Sequence, residues 1–460
     1  MDINNTFVFY LIIWFIVAGF VIFIKWKDKS NNCGLTLFYI LGFSIIYMVA
    51  PAFYILPWQE FSQKEWVLCG FRESTYGLIS FAIGNIFLTQ FFLRRQEKYK
   101  IENQNNYIWT NSNFPYVYFW LSLLMYLIAS YRPINIPTIQ AIGVVFNNFM
   151  AVNICLICWQ AYCNKNFKEL RKWLILSLFL PLLTLTFGGF FGYGVGLSML
   201  VFVFTFRFFR RFIRIILVYI IMSYLGFSIY VTYMRDRDII RDTVWGGAPI
   251  IKRITTIVNT FKNIEWFNPS NPRHLISIDG RLNQNVLVGA AIEYIKNGFA
   301  SYAYGQTIYE SIVLGFIPRI LYPEKPVYAG SGNLVSKFTG LEFDPTTSVG
   351  VGQVMEFYIN FGRMGVIIGF MIIGVLLGIF DTLAAHYLST GNIYKFILWF
   401  LPGLFLNNPG GALVEVTTSI GAGFIFVFLI AKIKLEKSRT ILFIIFLIMI
   451  LYLINIILFH

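Results

Sequence analysis

Long apolar stretches, each close to the length of a membrane-crossing helix and separated by short polar runs, recur along most of the chain. A helix of about 20 apolar residues crosses roughly 30 Å of hydrocarbon. Backbone polar groups have no water to bond with there, so such runs have to be helical. A transmembrane barrel would instead show roughly ten-residue alternating segments, and none occurs. The pattern predicts an all-α polytopic membrane protein with about 12 transmembrane helices. These are Phe7–Ile24, Leu35–Leu56, Tyr76–Leu93, Phe114–Ser130, Ile139–Cys163, Leu174–Thr186, Phe190–Phe206, Phe212–Tyr233, Met364–Leu388, Phe396–Leu406, Ala412–Ile433 and Ile441–Phe459. The glycine-rich turn Gly188, Gly189, Gly192, Gly194 makes the sixth and seventh a tight helical hairpin. The tenth is too short to cross alone and ends at Asn407-Asn408-Pro409-Gly410-Gly411, as a broken or re-entrant helix would. Phe7–Ile24 lacks a basic leader and is followed by Lys25, Lys27 and Lys29, so it reads as a retained span and not as a signal sequence.

Composition agrees, with 57% hydrophobic and 13% charged residues and a mean hydropathy of +0.67. Soluble domains carry roughly 25% charge. The placement of lysine and arginine sets the orientation. Alternate short loops hold 20 of them, around Lys25, Arg94–Lys100, Lys165–Lys172, Arg207–Arg214, Lys395 and Lys432–Arg439, while the opposite short loops hold only Lys64, Arg72 and Arg132. This predicts a cytoplasmic side at the basic loops, with both termini outside. The formal charge of +14 is then mostly a topology signal, and nucleic acid is not an expected partner. Cys155 and Cys158 have C-x-x-C spacing inside an apolar span, where packing explains them better than redox or metal chemistry. No cofactor and no metal site is expected, the three histidines being scattered at His274, His386 and His460.

The predicted division is a bundle of spans 1–8 (residues 1–233), an extracytoplasmic loop (234–362) and a bundle of spans 9–12 (363–460). A connection of that length is too long to be idle, and its apolar residues are spread throughout. Ile250–Phe261 and Asn285–Ile295 have helical periodicity with an apolar face. The partly helical loop should therefore lie on the membrane surface or cap the bundle, making a cavity where a lipid-linked substrate sits half in the bilayer. Its arginines include Arg235, Arg237, Arg241, Arg253, Arg273, Arg281 and Arg319, with Arg363 at the edge of the ninth span. A guanidinium is a permanently charged fork of donors suited to phosphate oxygens. Ion pairing explains Arg235 well, because it has aspartate neighbours and a helix end beside it. The acid–base candidates are Glu356, Asp279, Glu310 and His274. Glu356 enters the membrane from outside, where partial desolvation suits a carboxylate to take a proton from a sugar hydroxyl. A hydrogen bond to a neighbouring helix is its plainer explanation. Glu415 lies inside a span, where ionisable residues are functional candidates by default.

Several stretches resemble the bacterial oligosaccharide repeat-unit polymerases, the Wzy-like O-antigen polymerases. They are Gly280-Arg281, Tyr302-Ala303-Tyr304-Gly305-Gln306-Thr307 and Phe316-Ile317-Pro318-Arg319-Ile320-Leu321-Tyr322-Pro323-Glu324-Lys325-Pro326. Thr347-Ser348-Val349-Gly350 and Glu356-Phe357-Tyr358-Ile359-Asn360-Phe361-Gly362-Arg363-Met364-Gly365 complete the set. The likeness covers Gly280–Gly365; elsewhere only topology matches. Many relatives carry an arginine just after the hairpin's glycine turn, where Thr186-Phe187-Gly188-Gly189-Phe190-Phe191-Gly192-Tyr193 has none. Either another arginine substitutes or that part of the site does not carry over. The resemblance implies a membrane-embedded, metal-independent glycosyltransferase of the bacterial inner membrane. It would move a growing glycan from undecaprenyl pyrophosphate to a second lipid-linked repeat unit outside the cytoplasm, alongside a separate chain-length regulator protein. Arg281, Arg319, Lys325 and Arg363 would bind pyrophosphate and stabilise its developing charge. Glu356 would be the base, with Asp279 and His274 as further catalytic candidates. An O-antigen ligase, which would use an outer-loop histidine, and a lipid-linked oligosaccharide flippase or other transporter remain as alternatives. No internal repeat of the transporter kind is evident.

Overall fold

The computed structural model describes residues 3–58, 61–94, 113–131, 137–208, 212–315, 317, 332–343 and 349–432. Among them there are helices and turns and no β-strand. The helices are α1 (Ile3–Lys27), α2 (Leu35–Tyr47), α3 (Val49–Phe53), α4 (Lys64–Ile83), α5 (Thr89–Arg94), α6 (Phe114–Tyr131), α7 (Pro137–Cys163), α8 (Phe167–Ser177), α9 (Leu180–Gly188) and α10 (Phe191–Thr205). There follow α11 (Phe212–Trp245), α12 (Ile250–Lys262), α13 (Pro272–Leu282), α14 (Asn285–Lys296), α15 (Gln306–Gly315), α16 (Gly332–Thr339), α17 (Gln353–Ser389), α18 (Ile393–Leu406) and α19 (Leu413–Lys432). The expected twelfth span, Ile441–Phe459, lies outside the described residues.

Among the described residues, seven helices are long and apolar enough to cross a membrane: Ile3–Lys27, Lys64–Leu93, Gly143–Cys163, Phe167–Gly188, Phe191–Phe208, Gln353–Ser389 and Leu413–Ile430. Leu35–Tyr47, Phe114–Ser130 and Ile393–Leu406 are apolar but shorter. Helix α1 shows what surrounds them. Phe7, Leu11, Trp14, Ala18 and Val21 are buried at heptad-like spacing, yet Val8, Phe9, Ile12, Phe15, Ile16, Phe20 and Phe23 on the other side are exposed. A helix that stays apolar where it faces outward is solvated by lipid and not by water. The chain is an all-α membrane protein.

Close helix approach in the bundle depends on small residues, as expected where lipid removes the hydrophobic drive for association. Gly84 lies against Met371 O and Gly374 against Phe81 O, leaving no room for a Cβ at either. A π-helical turn, Gly84–Leu88, links α4 to α5 at this contact. There the Asn85 Nδ2 donates to Gly374 O at 3.0 Å and to Thr36 Oγ1 at 3.1 Å. Near the far end of α17, the fully buried Asp381 accepts from the backbone N–H groups of Cys33, Leu35 and Thr36 at 2.7, 3.3 and 3.1 Å. It thereby satisfies donors left open at the start of α2. Arg207 reaches Lys29 O at 3.3 Å beside this cap and lies 4.5 Å from the Trp159 ring. Three of the basic connections thus meet at one end of the bundle.

The expected hairpin is present as α8–α9 and α10. Gly189, at φ +74°, ends α9, and Gly194 packs against the backbone of Leu180 and Pro181. Helix α11 runs past the expected end of its span at Tyr233 and stops only at Trp245. The segment between α11 and α17 is not a loose cover. Helix α12 packs on α11 and α9, α13 on α3 and α11, α14 on α4, and α15 on α19. The tightest of these contacts is α14 on α4, where Gly289 meets Trp66 O and Gly70 meets Asn285 O. Asn285, fully buried, donates to Tyr47 O at 2.8 Å and accepts from Ser74 Oγ at 3.0 Å. The ninth span was expected to begin at Met364; α17 instead starts at Gln353 and breaks at Phe361 and Gly362, with Gly362 at φ +59° and ψ −148°. Its first turns, Gln353 to Asn360, form a half-helix seated on the chain break between α18 and α19. Gln353 N donates to Pro409 O at 3.0 Å, and its Nε2 donates to Asn408 O at 3.1 Å.

Candidate anion site at the break in α17

The break in α17 aims Arg363 sideways at α4. Its Nε donates to both Glu73 oxygens at 3.1 Å, and Nη2 donates to Oε1 at 2.8 Å. The Arg72 Nε approaches the same Oε1 at 3.3 Å. Glu73 is 1% exposed, while Arg363 and Arg72 are 47% and 36% exposed. Two guanidiniums on one carboxylate leave a unit of positive charge uncancelled. Burying Glu73 without them would carry a large desolvation cost. The carboxylate therefore holds both forks, each of which stays partly exposed. The Arg363 guanidinium lies 4.9 Å from the Tyr76 ring, and Tyr10 packs edge-on to Tyr76 at 6.5 Å. Phe361 and Met364, on either side of the break, are 52% and 60% exposed. A positive site bordered by outward-facing apolar side chains suits an amphiphile with an anionic head.

Glu356 sits on the half-helix before the break. It is 2% exposed, and its Oε2 accepts from Leu413 N at 2.6 Å, capping α19. Thr307 and Ser311 lie beside the same carboxylate. Together with Glu310, Leu334, Ala412 and Val414 these residues line a small pocket. So the residue expected to act as base is also a structural link between α17 and α19. Glu415, in the first turn of α19, lies against Gly411 at the chain break.

The remaining candidates are dispersed. The Asp279 carboxylate accepts from Asn283 Nδ2 at 2.7 Å and from Tyr54 hydroxyl at 3.1 Å. Burial pushes its carboxyl above the usual Asp range, against the lowering effect of both hydrogen bonds. His274 is 3% exposed. Its Nδ1 accepts from Asn268 N at 3.0 Å, and Nε2 faces Glu265 Oε1 at 2.7 Å, so both ring nitrogens are engaged. Arg281 is exposed and lies near Tyr230 and Tyr233 of α11. Arg319 and Lys325 lie outside the described residues. Arg235 pairs with Asp236 at 2.9 Å and approaches Glu265 at 3.6 Å, as its aspartate neighbours led one to expect.

Three sets of contacts were not legible in the sequence. Glu73 and Arg72 join Arg363 only through a contact 290 positions apart in the chain. At the hairpin turn, which lacks an arginine of its own, the Arg241 guanidinium lies 5.2 Å from the Phe190 ring and 5.0 Å from Trp245. Arg253, 6% exposed, donates to Ala248 O at 2.7 Å and Thr186 O at 3.5 Å. Its signal was available, because Arg253, Ile257 and Thr260 share one helical stripe and all three are buried. Cys155 and Cys158 are free and buried in α7. No family model, no curated protein and no solved structure matches the chain.

Proposed function

We propose that the protein is a membrane glycosyltransferase that polymerises undecaprenyl-pyrophosphate-linked oligosaccharide repeat units, on the outer face of the bacterial inner membrane. The observation that carries this is the pair Arg72 and Arg363 fixed on the buried Glu73 beside outward-facing apolar side chains. It offers a fixed cationic fork at a lipid-accessible surface, the environment a polyprenyl pyrophosphate requires. In the proposed reaction the anomeric carbon of the growing glycan leaves its pyrophosphate and bonds to a hydroxyl of the incoming unit. The arginines, with Arg281, Arg319 and Lys325 as further contributors, stabilise the charge gathering on the leaving pyrophosphate. A carboxylate takes the acceptor proton. Glu356 is the proposed base; it lines a small pocket with Thr307 and Ser311.

The proposed topology places the basic connections near Lys29 and Arg207 in the cytoplasm, with α12–α16 outside, twelve spans in all, and a separate chain-length regulator as partner. The ligase alternative is weakened by His274, whose ring is buried and bonded at both nitrogens.

The test is polymerisation in proteoliposomes supplied with lipid-linked repeat units from the producing strain. Arg363→Ala should lower polymer formation by about 100-fold, as loss of a charge-stabilising donor does. Arg363→Lys, which keeps the charge without the bidentate fork, should recover only part of it. Wild-type rates in Arg363→Ala would overturn the proposal.

A further inference from the structure

The loop before α15 holds an exposed tyrosine in a costly conformation. Tyr304 has φ +46°, a left-handed geometry uncommon for any residue with a side chain and an outlier for a bulky one. Such strain persists only where the surroundings over-determine it. Here they do: Ala303 N donates to Ile359 O at 2.8 Å, and Gly305 N donates to Asn360 Oδ1 at 2.9 Å. Asn360 is itself fixed, its Nδ2 donating to Thr307 Oγ1 and to Glu356 O, both at 2.7 Å. The strain does not serve to bury Tyr304, which is 75% exposed. What it achieves is the rigid presentation of an aromatic ring to the outside.

The position of that ring is informative. Tyr302 packs edge-on to Tyr304 at 6.3 Å and near Tyr358 at 6.4 Å. Gly362, next to Arg363, has room for a Cβ only 3.3 Å from the Tyr302 hydroxyl. The Gly305 backbone abuts the Phe361 ring. Tyr302 therefore stands beside the break in α17 that carries Arg363, with Tyr304 next to it. An interfacial membrane anchor would explain exposed tyrosines, but it needs only depth in the bilayer and no fixed backbone angle.

We propose that Tyr302 and Tyr304 form a stacking platform for the sugar directly attached to the anionic head group held by Arg363 and Arg72. This rests on the proposed function, and it adds a glycan subsite to the pyrophosphate site. The apolar face of a pyranose packs on an aromatic ring, and a phenol hydroxyl can bond the ring substituents. Recognition of the first sugar would thus be built into the same kink that places the pyrophosphate contacts.

The test uses the full chain in nanodiscs and two probes: undecaprenyl pyrophosphate, and the same lipid carrying a single N-acetylhexosamine. Tyr304→Ala should weaken the sugar-bearing lipid about fivefold and leave the sugar-free lipid unchanged. Tyr304→Gly should show the same selective loss together with a higher thermal midpoint, because glycine adopts positive φ without strain. Unchanged binding of both lipids, or equal weakening of both, would overturn the platform. Arg363→Ala should weaken both probes; if it does not, the anion site fails, independently of the outcome at Tyr304.

Discussion

Buried charge in this protein is spent on fixing backbone and side chains in place. Asp381 and Glu356 each cap a helix start, of α2 and α19 respectively, and Glu73 clamps two arginines. This gives Glu356 a discriminating substitution. Glu356→Gln keeps an oxygen that can accept from Leu413 N but cannot act as a base. Polymerisation should fall by about 100-fold, while the thermal midpoint in detergent stays within a few degrees of wild type. Full activity in Glu356→Gln would leave it a helix cap only. Asp279 makes a pH prediction. Its carboxyl is raised by burial, so its contribution to stability is greatest when protonated, below the ordinary Asp range. That contribution is lost as pH rises through the raised folded value. Asp279→Asn should therefore flatten the decline in thermal midpoint across that acidic window; an unchanged slope would show that the burial has no such effect. At this scale the sequence exposed residue types but not partners. Arg363 could be singled out as a fork at a membrane edge, whereas Glu73 sat in an ordinary-looking helix turn until α17 was laid against it.

Helices and their order were largely legible, because apolar runs and glycine turns are local signals. The breaks within helices were less so. The interruption at Asn407–Gly411 announces itself by composition. That at Phe361–Gly362 rests on one glycine in a chain holding 36 of them. The short helices α12 and α14 followed from their periodicity, but the depth at which α14 enters the bundle did not. Gly70 and Gly289 are what permit it. Gly289→Ala should push α14 off the Trp66 carbonyl and cost roughly 1–3 kcal/mol, an overpacking penalty, read as a lowered thermal midpoint. An unchanged midpoint would mean that this crossing is looser than drawn.

For the whole molecule, the exposed apolar faces speak for a lipid surround, and the orientation rests on the lysine and arginine asymmetry alone. In the proposed topology the Lys29 end is cytoplasmic and the Tyr304 end is outside. With Cys69 and Cys163 replaced by serine, Tyr304→Cys should react with a membrane-impermeant maleimide in spheroplasts with the inner membrane intact, and Lys29→Cys only after that membrane is opened. The reverse pattern would invert the orientation. What the sequence could not supply was convergence. Arg363, for example, meets Glu73, Arg72 and Tyr76 only once α17 lies against α4.

The central claim is best tested by electrophoresis of the surface polysaccharide from a deletion strain complemented with wild type or with Arg363→Ala. The account predicts a full ladder with wild type, and collapse to single repeat units on the lipid core with Arg363→Ala. An unchanged ladder, or loss of all attached glycan with long polymer accumulating on the lipid carrier, would contradict it.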